Sequence, residues 1–230
     1  MELIAELASA HGGDLSLAKH MIDIAVRAGA HTIKTQAYAP ESVYAQDPQA
    51  EWLVKSALGY EGHLALKAHA EQQGADYFAS VFDSAALAMI AKMCGRVKIA
   101  STEAEAGWWH GHFVDAVVSF PWSAKPPWAH HRRLVTVPMY PTPTEVLCRV
   151  DIAGSDGWSD HCIGTHAARY FAAKGAEIIE VHVAPPNGEG RGAMPWDKSF
   201  NEIRAIREWM DECAVMRTGV SRKFAERWVR

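Results

Sequence analysis

The chain contains no apolar run long enough to cross a membrane as a helix, which takes about 20 residues. Its opening, Met1-Glu2-Leu3-Ile4-Ala5-Glu6, lacks the basic region and long apolar core of an export signal. A soluble cytoplasmic protein with no membrane partner is therefore expected. Clustered positive charge is also missing. With 23 Lys and Arg against 27 Asp and Glu, the net charge is -4, which argues against a nucleic-acid surface, since phosphate-backbone binding needs grouped cations. Any anionic ligand must be small and held locally. Cysteine is scarce. Cys94, Cys148, Cys162 and Cys213 form no CxxC pair and no short-range framework, which excludes a disulfide scaffold and suits a reducing compartment. They read as buried thiols, with Cys162 placed near any site that the adjacent His161 serves.

A chain of 230 residues that is 49% hydrophobic can bury a sizeable core, and one larger α/β domain is the simplest reading. The same punctuation recurs along it. Asp14 is suited to cap a helix whose apolar residues Leu17, Ala18, Met21, Ala25 and Ala28 recur at helical spacing, and Gly29 closes it. The strand-like run 31–36 follows. Gly74-Ala75 leads into 77–80, and Gly175-Ala176 into 178–182, in the same way. With 2–7, 96–101, 116–119, 134–140 and 155–159, eight strands are expected. Alternating strands and helices imply parallel pairing with right-handed crossovers, and eight units in this length predict a closed (β/α)8 barrel. The barrel is expected over 1–215, with a basic helix or tail over 216–230. Two stretches depart from the pattern. The segment Phe120 to Trp128 holds three prolines and cannot be an ordinary helix, so the fifth helix is expected to be short or missing, with tryptophans covering that side. The loop Ala37 to Leu58, carrying Tyr38, Tyr44 and Trp52, is long enough to predict a lid or an oligomer contact.

The expected strand ends concentrate polar groups: Glu6, Lys34, Gln36, Ser80, Lys98, Ser101, Ser119, Tyr140, Ser159, His161, Glu180 and His182. Barrel enzymes carry their chemistry there. Lysines at strand ends are costly to bury unpaired, so Lys34 and Lys98 predict an anion, and the serines add hydroxyl donors around it. Each serine alone is better explained by a local backbone bond; their joint placement points to a phosphate. Glu6, Glu103 and Glu180 are candidates for proton transfer or orientation. His161, in Gly157-Trp158-Ser159-Asp160-His161, and His182, in Glu180-Val181-His182, are placed where two imidazoles can share a divalent metal. Spacing alone fits two separately satisfied histidines at least as well, and the rest of the chain tips the balance.

In order and spacing these segments resemble the sialic acid synthases and their relatives. The resemblance is carried by Ile4-Ala5-Glu6, His11-Gly12-Gly13-Asp14, Ile33-Lys34-Thr35-Gln36, Phe78-Ala79-Ser80-Val81-Phe82-Asp83, Lys98-Ile99-Ala100-Ser101, Tyr140-Pro141-Thr142-Pro143 and the two histidine segments. It implies a metal-dependent barrel that condenses phosphoenolpyruvate with a sugar-like aldehyde to a 2-keto acid, releasing phosphate. His161 and His182 match metal ligands, with manganese the first choice and magnesium or cobalt the alternatives. Lys34, Ser80, Lys98, Ser101, Ser119 and Ser159 match phosphoenolpyruvate-binding positions. Glu6, Gln36 and Tyr140 match positions near the sugar, and Glu103 a carboxylate near the reacting centre, so Glu6, Lys98, Glu103 and His182 are the expected catalytic set. Ser80 replaces a usual threonine, Thr102 a usual glycine, and Pro138 stands at an often polar position. No aspartate follows His182 in 185–192, where Glu189 is the nearest substitute. The resemblance covers the barrel without the family's small second domain, so a homodimer or a partner chain is expected to complete the acceptor site. Two alternatives stay open: another metal-assisted aldolase or lyase acting on a phosphorylated small molecule, and a catalytically silent barrel that binds an anion or a partner.

Overall fold

A computed structural model describes residues 1–111, 115–124 and 131–218. Eight parallel strands close into a barrel in chain order, β8 pairing back to β1. They are β1 Glu2–Ala8, β2 Thr32–Ala37, β3 Asp76–Val81, β4 Arg96–Ile99, β5 Asp115–Pro121, β6 Arg132–Thr136, β7 Gly157–Asp160 and β8 Ile178–His182. Alternation decides what each strand contributes. Ile4, Phe78, Val117, Leu134 and Ile178 meet inside as an apolar floor. Residues of opposite parity, such as Leu3, Ala5, Ile33 and Ile179, pack outward into the larger core shared with the helices.

The helices are α1 Leu15–Arg27, α2 Ala50–Ser56, α3 Tyr60–Gln72, α4 Ser84–Cys94, α5 His166–Ala173 and α6 Phe200–Thr218. Asp14 caps α1 by accepting from the Ser16 and Leu17 amides at 2.8 and 3.1 Å. The recurring Gly-Ala pairs end helices by one device. Gly29, Gly74 and Gly175 all have positive φ, and the amides of Ala30, Ala75 and Ala176 each reach back to the carbonyl five residues earlier, at Ala25, Ala70 and Phe171. That is the Schellman closure, in which glycine takes the left-handed position. Gly157 answers a different demand: a Cβ there would lie 1.9 Å from the Ile178 carbonyl oxygen of β8, so this close pairing admits only glycine.

Helical cover is uneven. Among the described residues, the β4–β5 crossover carries only the 3-10 turn Gly107–Trp109, and the β6–β7 crossover the 3-10 turn Thr144–Arg149. Regular helices expected there are replaced, because neither stretch carries an apolar helical repeat. In the β5–β6 crossover, Trp122 packs against the core, while Trp128 and the rest of 125–130 lie outside the described residues. The strand expected over 134–140 ends at Thr136, and that over 155–159 starts at Gly157. Helix α6 runs on through the expected domain limit at 215, and the basic segment lies outside the described residues from 219 onward.

The long β2–α3 loop is packed down. Its Trp52 indole donates to the Ser9 carbonyl at 2.9 Å, and the Tyr38 hydroxyl to the Leu53 carbonyl at 2.8 Å. All four cysteines are free. Cys162 sits in the outer core and does not face the barrel mouth, because alternation turns it away from His161. No helix among the described residues is long and apolar enough to cross a membrane.

Candidate active site

Above the apolar floor, every strand contributes one buried polar side chain to a single layer: Glu6, Lys34, Ser80, Lys98, Ser119, Thr136, Ser159 and Glu180, in the order β1 to β8. These eight, with Gln36, Ser101, Tyr140, His161 and His182 nearer the rim, line one cavity of about 160 Å³ at the C-terminal ends of the strands.

The layer is wired as lysine–hydroxyl–carboxylate sets. The Lys34 ammonium donates to the Ser80 hydroxyl at 2.7 Å, is in direct ionic contact with Glu6, and lies 3.7 Å from Glu180 Oε2. Lys98 donates to the Ser119 hydroxyl at 2.7 Å and to the Ile99 carbonyl at 3.1 Å. Ser159 donates to Glu180 Oε1 at 2.8 Å, while Glu180 Oε2 keeps no hydrogen bond. Burial pushes the Lys34 ammonium down to about 7, with Glu180 opposing and the like charge of Lys98 adding to the fall. Lys98 is lowered by burial too. For Glu180, burial works to raise the carboxyl, but Lys34, Lys98 and the Ser159 hydroxyl outweigh it and hold the group below its usual range. The result is a buried cluster with two amine groups: Lys34 has only side-chain partners, able to turn away toward a ligand, and Lys98 has one such partner, Ser119, beside the fixed Ile99 carbonyl.

The two imidazoles come together at the rim, ring centres 5.4 Å apart. His161 Nδ1 lies 3.1 Å from the Val137 carbonyl, which can only accept, so Nδ1 carries the proton and Nε2 keeps its lone pair. His182 Nδ1 is buried with no hydrogen-bond partner. Burial holds His161 down at about 4 and His182 well below its ordinary value, so both are neutral at pH 7. Neutral rings with free lone pairs suit a divalent cation. No group of three or more His, Cys, Asp or Glu side chains that would hold a metal occurs among the described residues. Tyr140 roofs the pair, 4.0 Å from the His161 ring and edge-on to His182 at 6.0 Å. Its ring is half exposed, and partial desolvation of the hydroxyl together with the negative charge of Glu180 favours the protonated form.

Of the thirteen residues singled out in the sequence, the twelve at the strand ends line this cavity. Glu103 does not. Its carboxylate accepts from the Trp108 indole at 2.9 Å and its carbonyl from the Trp109 indole at the same distance. The indoles of the following 3-10 turn hold it in the β4–β5 loop, where it organises the wall and does not reach the reacting space. Thr136 and Phe82 line the cavity without having been singled out. A further cluster supports it from behind. Asp160, turned outward by alternation from its neighbours Ser159 and His161, meets the fully buried Lys198 at 3.3 Å. Lys198 also donates to the Cys162 and Trp196 carbonyls, and its amide to the His182 carbonyl at 2.8 Å. One lysine thereby ties together the ends of β7 and β8 that carry the two imidazoles. Arg191 and Asp197, 3.0 Å apart, brace the same loop.

Residues 21–107 match the model of the NeuB family. No curated protein matches the chain. Among solved structures, a citrate complex of the N-acetylneuraminic acid (sialic acid) synthetase of Leptospira borgpetersenii superposes with a TM-score of 0.80 at 25% identity, covering 96% of this chain and 86% of that one. The spore coat polysaccharide biosynthesis protein of Bacillus subtilis gives 0.73 at 20% identity, covering 96% and 70%. A phospho-2-dehydro-3-deoxyheptonate aldolase (DAHP synthase) of Thermotoga maritima shares the fold at a TM-score of 0.69 and 13% identity, covering 96% and 71%.

Proposed function

From the premise that this chain is a sialic acid synthase-like barrel, we propose that it condenses phosphoenolpyruvate with a sugar-like aldehyde to give a 2-keto acid and phosphate. The observation that carries the reading is the buried layer in which each of the eight strands supplies one polar side chain, two of them lysines. Two buried ammonium groups flanked by serine hydroxyls match an anion with two acidic ends. Phosphoenolpyruvate has a phosphate and a carboxylate on one small carbon frame.

In this reading Lys34 turns from its resident carboxylates to the ligand, and Ser80, Lys98 and Ser119 add their donors beside it. Charge-assisted donors in a dry site are strong and need no reorganisation when charge builds on the departing phosphate. Carbon 3 of the enol forms the new bond to the aldehyde carbon, water adds at carbon 2, and phosphate leaves by cleavage of its bond to that carbon. The new hydroxyl needs a proton and the attacking water gives one up. Tyr140, protonated above the imidazoles, is the donor on the acceptor side. Glu6 and Glu180 are carboxylates placed to take the proton from water. His161 Nε2 and His182 Nδ1 would hold a divalent ion, manganese being the first expectation. When bound, it would polarise the aldehyde carbonyl as a Lewis acid. Gln36, at the rim, is placed to meet acceptor hydroxyls.

The test is phosphate release from phosphoenolpyruvate with a panel of aldehyde sugars and manganese, alongside metal titration of the chelated protein. Release that depends on an aldehyde, and one tight metal site per chain lost in both His161→Ala and His182→Ala, are expected. Absence of both phosphoenolpyruvate binding and aldehyde-dependent release would defeat the proposal.

A further inference from the structure

Next to the polar cavity lies a second one, of about 230 Å³, in the long loop after β2. Its chemistry is opposite. Tyr38, Val43, Tyr44, Leu53 and Phe82 supply its walls, and the polar groups Ser42 and Asp47 stand at its margin. Gln36 and Phe82 line both cavities, so the apolar space lies directly against the part of the mouth assigned above to the acceptor. Its back wall is fixed. The Tyr38 ring stands edge-on to Phe82 with centres 6.1 Å apart, and the Tyr38 hydroxyl is bonded to the Leu53 carbonyl. The Ala39 amide, held at 2.9 Å by Asp83 Oδ2, ties this wall to the N-terminus of α4. The outer lip is Tyr44, with 71% of its surface exposed. A rigid apolar wall with one open aromatic lip, reached only past the reacting centre or from solvent, is built to receive part of a ligand whose other end sits in the mouth.

We propose that this annex is a specificity subsite for an apolar arm of the acceptor, an acyl or aromatic substituent carried by the aldehyde substrate. The inference rests on the acceptor assignment made above and goes beyond it in naming the substrate feature that the annex selects. Sugar hydroxyls would lose water in it without finding partners, whereas each methylene it buries gains about fourfold in affinity.

The experiment uses amino-sugar alcohols, which lack the aldehyde and cannot react, N-acylated with straight chains of increasing length. Their binding is measured by calorimetry with and without phosphoenolpyruvate, on the parent protein and on Val43→Trp and Tyr44→Ala, neither of which touches the polar layer. Affinity is expected to rise about fourfold per methylene over the first few carbons. Val43→Trp, which fills the space, should erase the gain while leaving phosphoenolpyruvate affinity unchanged, and Tyr44→Ala should reduce it several-fold. A flat series, or a gain that survives Val43→Trp, overturns the subsite even if phosphate release proceeds with simpler aldehydes. Conversely, if phosphoenolpyruvate does not bind but the chain-length gain appears and Val43→Trp removes it, the annex stands and the condensation reading falls.

Discussion

Among the buried lysines of this barrel, Lys198 and Lys34 are held in opposite ways. Lys198 has a carboxylate 3.3 Å away at Asp160 and backbone carbonyls at Cys162 and Trp196, and lines neither cavity described above. Lys34 has a carboxylate and a hydroxyl, both side chains, and faces the cavity. Backbone carbonyls cannot turn away, so Lys198 is committed to its clamp. Side chains can, so Lys34 is available to an anion. Burial of an ammonium is therefore not by itself the mark of a site; exchangeable partners beside an open volume are.

The comparison breaks most readily at Lys198. Lys198→Met leaves the buried Asp160 carboxylate without a counter-charge, with only the Trp158 indole at 3.2 Å and the Cys162 amide at 3.0 Å on its other oxygen, a change that costs about 3–5 kcal/mol, and urea unfolding should record a loss of that size. Lys34→Met is expected to cost at most about half as much. Glu180 keeps the Ser159 hydroxyl and Lys98 beside it, and Glu6 Oε1 keeps the Ala8 amide at 2.5 Å. Equal losses from the two variants would erase the distinction between clamp and site.

Binding should sort the same residues the other way. Lys34→Met and Lys98→Met each remove a charge-assisted contact worth about 1.5–3 kcal/mol, so calorimetry should show phosphoenolpyruvate affinity falling about tenfold or more in each. In Lys198→Met, at a temperature where it stays folded, affinity should change little. A phosphoenolpyruvate affinity that ignores both Lys34 and Lys98 would place the anion elsewhere.

How much of this was legible beforehand follows from the range of the interactions. The barrel, the Gly-Ala helix ends and the Asp14 cap are written in local periodicity and local chemistry, so the sequence carries them. So is the polar layer, because a period of two puts Lys34, Lys98, Ser119 and Ser159 on the inner face of their strands. Glu103 was misplaced because its position is set by Trp108 and Trp109, whose short turn has no periodic signature. Lys198 was invisible because it meets Val183 through a single bridge across the β8 loop, a contact no local pattern encodes. One signal was available. Asp160 must point away from Ser159 and His161, and an outward carboxylate in a packed shell requires a cation.

The smallest expected effect is also the most specific. Burial brings the Lys34 ammonium from its ordinary 10.5 down to about 7. In the free protein at pH 8 it is therefore largely deprotonated. An anion seated beside it favours the charged form, so binding at pH 8 should draw in up to about one proton. Calorimetry in buffers of different ionisation enthalpy measures that uptake, which should shrink markedly in Lys34→Met. The signs then separate binding from folding. Anion affinity through this group falls as pH rises through about 7, as the free ammonium loses its proton. Stability runs the other way: with a folded value below the unfolded one, Lys34 costs stability at low pH and the cost is relieved between about 7 and 10.5. A lysine clamped for structure would give neither the uptake nor the opposed slopes. If phosphoenolpyruvate binds with no proton uptake at pH 8, Lys34 is already charged in the free protein, and the poised ammonium assigned to the mouth does not exist.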